Sequence, residues 1–232
     1  MEIHFNTLKR IIYLFLYKNC YEILLIAFLL HLYGSVFYRN IDFYGFYVQI
    51  INLLFVYFAA TNTFFHRKNS ISFLFKPVIL ITLICNFGIL FFDDINTLKY
   101  VKEVSYLFFL LITIYNTGSF LIKPHRIDKA LISASIVGYL LLIEIAVQLF
   151  ILFFFIEGKS ILSHIDTRSI TNTYIDIVYF CTVTATSIGF GDILPLNNSA
   201  KMITSLLGLS GQFYLVIIMS IMISKFTSKR VS

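Results

Sequence analysis

TATSIGFGDILP, residues 184–195, sets two glycines, three hydroxyls and an acid between long apolar runs. Peptide groups outside regular structure are costly in apolar surroundings. The chain around them has 232 residues, of which 59% are hydrophobic and 13% charged. Its mean hydropathy is +0.86. Ordinary soluble domains carry about 25% charged residues, so an all-α membrane protein is expected. Irregular backbone at membrane depth is tolerated only where protein buries it or where it lines a water-filled path. The stretch must therefore sit inside an assembly or along a pore.

A helix that crosses a bilayer needs about 20 mostly apolar residues. Six segments qualify: 21–38, 44–65, 73–92, 104–122, 131–156 and 200–226. Between the last two, residues 157–199 are too polar to span fully, although TYIDIVYFCTVTA is apolar enough to dip into the membrane. This divides the chain into an N-terminal interfacial segment (1–20), a four-helix domain (21–122), a cytoplasmic connector (123–130) and a final domain (131–232). Phe5, Leu8, Ile12 and Phe15 give the first segment its apolar face. With the N-terminus inside, twelve Lys and Arg fall on the cytoplasmic side and six outside. That bias places both termini in the cytoplasm and the chain in the plasma membrane, or the bacterial inner membrane if the source is prokaryotic. No internal repeat and no soluble regulatory domain is expected.

Composition also excludes functions. The net charge of +6 comes with no basic stripe clear of the apolar runs, so no nucleic-acid partner is expected. Cys20, Cys85 and Cys181 are odd in number and widely spaced, which argues against a disulfide framework or a zinc site. His4, His31, His66, His125 and His164 are scattered among segments, and no nucleophile has a companion base. An enzyme is not expected.

With this setting in place, YFCTVTATSIGFGDILP (residues 179–195) resembles the pore helix and selectivity filter of the potassium channels. The resemblance runs from the fifth helix onward; the first four helices match only in number. It implies a re-entrant pore helix at 174–186, a filter at Ser187, Ile188, Gly189, Phe190 and Gly191, an inner helix at 200–226, and K+ as the conducted ion. It also implies a homotetramer in the lipid bilayer, because one chain supplies one loop and a closed ring needs several. Phe180, Val183, Thr184, Thr186 and Asp192 become the filter's support.

The physics agrees. A filter removes water from a cation and must replace it with a row of oxygens. Successive carbonyls share one side only if the backbone alternates in hand, and Gly189 and Gly191 make positive φ inexpensive. Ile188 and Phe190 then brace the strand against the pore helix, and Ser187 adds an oxygen at the cavity end. Upstream, Thr173 and Asp176 read as a capping box opening that helix. Its C-terminal dipole end would favour a dehydrated cation.

Departures from the family pattern are equally specific. Phe190 stands where Tyr is usual, Tyr179 and Phe180 where Trp is common, Val183 where some members have Glu, and the usual partners of Asp192 are absent. A filter that inactivates more readily follows from these changes. In the sixth helix, Gly211 falls at the family's hinge position, with Gly208 one turn before it; close helix packing explains small residues equally well. Gln212, Leu215, Met219 and Ile223 form the stripe expected to line the cavity. The fourth helix, read as 104–122, has no Lys or Arg ladder, which disfavours steep voltage gating. Gln49, Asn52, Asn86, Thr113, Asn116 and Thr117 suit interhelical hydrogen bonds. Glu22, His31 and Glu144 are ionisable groups in or near apolar spans; Glu144 has Gln148 one turn on. A weakly selective cation channel and a non-conducting sensor or adaptor subunit stay open as alternatives, as does a regulatory partner.

Overall fold

The computed structural model describes residues 13–65, 72–91, 96–123, 128–157 and 161–228. Most of the interfacial segment and the middle of the connector lie outside them. Among the described residues the regular elements are helices: α1 (Cys20–Tyr33), α2 (Gln49–Phe65), α3 (Ser72–Phe91), α4 (Asn96–Ile122), α5 (Lys129–Glu157), α6 (Ile170–Ala185) and α7 (Asn198–Ser228). Five stretches among these residues are long and apolar enough to cross a membrane: Cys20–Phe37, Ile41–Phe64, Thr97–Ile122, Lys129–Glu157 and Asn198–Ser224. Where the third span is expected the chain forms the helix α3, which is not among these five stretches.

Helix is the natural form for such segments, since lipid offers no partner to a bare N–H or C=O. Hydroxyls inside the spans bond back to their own helix: Thr113 to Phe109 O at 2.8 Å and Thr117 to Thr113 O at 2.9 Å. Asn52 instead reaches across to Leu30 O at 2.9 Å, tying α2 to α1. Between these two helices the chain passes through a 3-10 turn (Gly34–Phe37), a short helix (Ile41–Phe43) capped by Asn40, and a π-turn (Tyr44–Val48).

Helix α1 packs against α2 and α5, α3 against α4, and α4 against α5; α5 also packs against α6 and α7, which touch each other. Helix α5 is thus the shared wall, with Leu131, Leu141, Val147 and Phe150 wholly enclosed. The fourth helix begins earlier than read from sequence, at Asn96 rather than 104. It therefore carries Lys99, Lys102 and Glu103 in its opening turns, and Glu103 is buried.

Candidate functional site

The helix leading into the glycine-rich stretch starts at Ile170, a turn before the expected 174, and ends at Ala185. Its cap is Ser169, not Thr173. Ser169 has an extended backbone, and its Oγ accepts from Asn172 N at 3.1 Å. The Thr173 hydroxyl is already inside the helix and donates to Asp166 O and Ser169 O. Asp176 accepts from Asp166 N at 2.6 Å instead of closing a capping box. Asp166 holds Arg168 and also takes a hydrogen bond from Asn172 Nδ2 at 3.1 Å. Arg168's hydrogen bonds hold the half-buried Asp166 carboxyl down at about 2. At sixteen residues, α6 is ~24 Å long.

Beyond Ala185 the chain leaves the helix without losing its hydrogen bonds. Thr186, the C-cap, returns its hydroxyl to Thr182 O at 2.8 Å. Thr184 O accepts from Ser187 N at 3.0 Å. Val183 O accepts from both Ile188 N and Gly189 N, at 2.9 and 3.1 Å. The backbone then alternates: φ is +59° at Ser187, +52° at Gly189 and +81° at Gly191, and negative at Ile188 and Phe190 between them. This is the alternation of hand that a one-sided row of carbonyls requires. Ser187 bears the positive φ without being a glycine, a conformation that costs an L-residue ~1–2 kcal/mol. Gln212 Nε2 on α7 donates to its Oγ at 2.6 Å and helps hold it.

Aromatic groups brace this segment from behind. The Phe190 ring lies parallel to that of Tyr179 on α6, centroids 6.4 Å apart, while Ile188 is exposed. Phe180 is buried edge-on against Phe150 of α5, centroids 5.4 Å apart. Asp192 does have a partner: Tyr179 donates its hydroxyl to Oδ2 at 2.7 Å. That bond holds the Asp192 carboxyl below the usual carboxylate range. Sequence reasoning missed the pair because Tyr179 was weighed only as a replacement for Trp. After the loop, Ile161 and Ser163 pair with Leu194 and Leu196 around an antiparallel bridge from Leu162 to Pro195, so both ends are clasped together.

The base of the segment is held by three helices. Tyr139 of α5 donates to Ala185 O at 2.9 Å, and Tyr33 of α1 shares a hydrogen bond with Thr182 Oγ1 at 3.0 Å. On α7, a Cβ added at Gly211 would stand 2.4 Å from Ala185 O, whereas one at Gly208 would meet nothing within 4 Å. Gly211 is therefore a close-approach position in this packing. Gln212, Leu215, Met219 and Ile223 are all exposed on α7, and of the four only Gln212 has a described bond to residues 187–191.

Away from this loop, His31, Glu144 and Tyr106 meet in the core: His31 Nε2 to Glu144 Oε1 is 3.3 Å and Tyr106 OH to the same oxygen 3.1 Å. Gln148 bonds to the Glu103 carboxylate, one turn along α5. Sequence marked the ionisable residues singly; the tyrosine that joins them gave no signal beyond the chain's many tyrosines.

Among curated proteins and among solved structures, no match to the chain is found. A family model described as "Ion channel" matches residues 140–228, which hold most of α5, all of α6, the alternating segment and α7. Over these residues the chain is similar to that ion-channel family.

Proposed function

We propose that the chain is one subunit of a tetrameric channel that conducts potassium passively, with residues 187–191 as the row of oxygens that replaces the ion's water. The observation that carries this reading is the alternation in the sign of φ from Ser187 to Gly191. Asp192 concentrates cations at the outer mouth. Equivalent oxygens around an ion call for copies related by rotation. Exposure in the single chain supports such assembly: Ile188 is 57% and Phe190 69% exposed, and Leu206, Phe213 and Val216 stand out from α7. Contiguous apolar exposure of this kind marks a partner or lipid. In this reading Gln212, Leu215, Met219 and Ile223 line the cavity below, and an apolar ring at Met219 and Ile223 closes it by dewetting. Both termini are cytoplasmic, α6 is re-entrant, and α1 to α4 act without a charge ladder.

A weakly selective cation pore is the second reading. What favours it is Phe190, which has no hydroxyl and gains its brace from ring contact with Tyr179. Purified protein in planar bilayers, with potassium on one side and sodium on the other, separates these. A reversal potential far from zero supports potassium selectivity, and one near zero supports the second reading. Absence of any barium-sensitive current points to a non-conducting subunit and defeats both.

A further inference from the structure

A cavity of about 580 Å³ lies between α1, α2, α4, α5 and α6, apart from the 187–191 segment. Its walls include His31 of α1, Tyr57 of α2, Tyr106 of α4, Glu144 of α5 and Tyr174 of α6. The exposed Asp42 and Phe46 stand at its mouth, while Glu144 and His31, 1% and 3% exposed, belong to its enclosed end. Binding cavities for small molecules commonly measure ~300–1,000 Å³, with mostly apolar walls and a few convergent polar groups.

Tyr106 has a single hydroxyl hydrogen and gives it to Glu144 Oε1. Toward His31 Nε2, 3.3 Å away, the Tyr106 oxygen must then accept, which puts the imidazole proton on Nε2. A neutral histidine in that tautomer leaves Nδ1 as an acceptor. Among the described residues, Nδ1 of His31 and Oε2 of Glu144 are buried without a partner, and so is the hydroxyl of Tyr174. A guest that completes the first two must bring hydrogen-bond donors, while the Tyr174 hydroxyl can give or accept.

Charge selects further. The charged walls comprise Asp42, Glu103 and Glu144 against Lys99 and Lys102, leaving one carboxylate in excess when His31 is neutral. Lys102 is committed to Glu103 at 2.9 Å, whereas the neighbour of Glu144, at 3.3 Å, is an imidazole that carries charge only when protonated. Water could supply donors, but not the countercharge that a buried carboxylate calls for. The rings of Tyr106 and Tyr174 flank His31 with centroids 6.3 and 6.0 Å away, and aromatic faces attract cations. Among the described residues no three His, Cys, Asp or Glu side chains converge as metal ligands.

We propose that this cavity is a binding site for a small organic ammonium ion, its N–H groups on Glu144 Oε2, His31 Nδ1 and the Tyr174 hydroxyl, its apolar body between the tyrosines. The occupant would lie against α6, the helix that leads into the alternating segment. The site stands on its own geometry, whatever passes through the pore.

The test is isothermal titration of the full chain, purified in maltoside micelles, with benzylammonium and with neutral benzyl alcohol as probes. Saturable binding of one benzylammonium per chain is expected, with benzyl alcohol at least about tenfold weaker, as loss of a charged partner at a buried site implies. Glu144→Gln should weaken the ammonium by a similar factor, and Tyr174→Phe, which keeps the ring, by a smaller one. Lys201→Gln, exposed on α7 and outside the cavity, should leave it unchanged. Equal binding of the two probes, no saturation by benzylammonium, or an affinity unmoved by both cavity variants would overturn the proposal. If Glu144→Gln does not fold, Tyr174→Phe and the comparison of probes decide the matter.

Discussion

Tyr179 gives its hydroxyl hydrogen to Asp192 across thirteen residues of chain, while its ring lies parallel to the ring of Phe190. One side chain thus serves two positions of the loop, the acid by hydrogen bond and the aromatic by stacking. Tyr179→Phe separates these roles, since it keeps the ring and deletes the bond. Potassium current through this variant should decay faster than wild type at neutral pH. The bond lowers the Asp192 pKa, so its contribution exists above the unfolded value and is lost as pH falls through the folded one. The difference between variant and wild type should therefore vanish once the outer solution is acid enough to protonate Asp192. A difference that persists there would assign the effect to something other than this bond.

Phe190→Tyr adds the hydroxyl that the segment lacks. Slower current decay and a lower sodium-to-potassium permeability ratio are expected from recordings in planar bilayers. If neither quantity moves, the looseness attributed to Phe190 is not a property of this loop.

Gly191→Ala keeps the sequence nearly intact but places a Cβ at φ +81°. An L-residue pays ~1–2 kcal/mol for a left-handed conformation, and the alternation would relax at that position. Potassium current should be lost while the variant still runs as an assembled oligomer in size-exclusion chromatography. Retained selective current would sever the link between positive φ and conduction.

Gly211 and Gly208 are one turn apart and should respond in opposite ways. Gly211→Ala drives a Cβ against the Ala185 carbonyl, and overpacking of this kind typically costs ~1–3 kcal/mol. Gly208→Ala meets open space and gains helix propensity. Thermal unfolding in detergent should show a lower midpoint for the first variant and an equal or higher one for the second.

The Asp166 clasp is the pH-insensitive counterpart of Asp192. Its carboxyl is held at about 2 by Arg168, below its unfolded value, so the contribution is present at neutral pH and lost only as pH falls through about 2. Asp166→Asn should therefore lower the unfolding midpoint by the same amount at mildly acid and neutral pH. A gap that closes between those conditions would show the clasp titrating far higher than its geometry implies.

The long spans were legible because apolar length is a local property, readable without knowing any neighbour. Where the reading slipped, the deciding contact lay elsewhere in the chain. Lys99, Lys102 and Glu103 look like loop residues, yet Glu103 is drawn into the core by Gln148 of another helix, and α4 starts at Asn96. Thr173 and Ser169 are both plausible caps; the extended backbone at Ser169 chose between them. The alternating glycines were visible, but the positive φ at Ser187 was not, because a serine carries no such preference. His31 and Glu144 were each conspicuous as ionisable groups, and only the packing of α1 on α5 shows that they share an oxygen contact. Gly211 was ambiguous between hinge and close approach, and the neighbouring Ala185 carbonyl assigns it the second role in this packing.

That single carbonyl oxygen has a mechanical meaning. It receives the hydroxyl of Tyr139 from one side and abuts the bare α-carbon of Gly211 on the other. Any lever motion of α7 at this level must press on, or pull away from, the last peptide before the loop. In the channel proposed above, to swing that lever would be to flex the sieve.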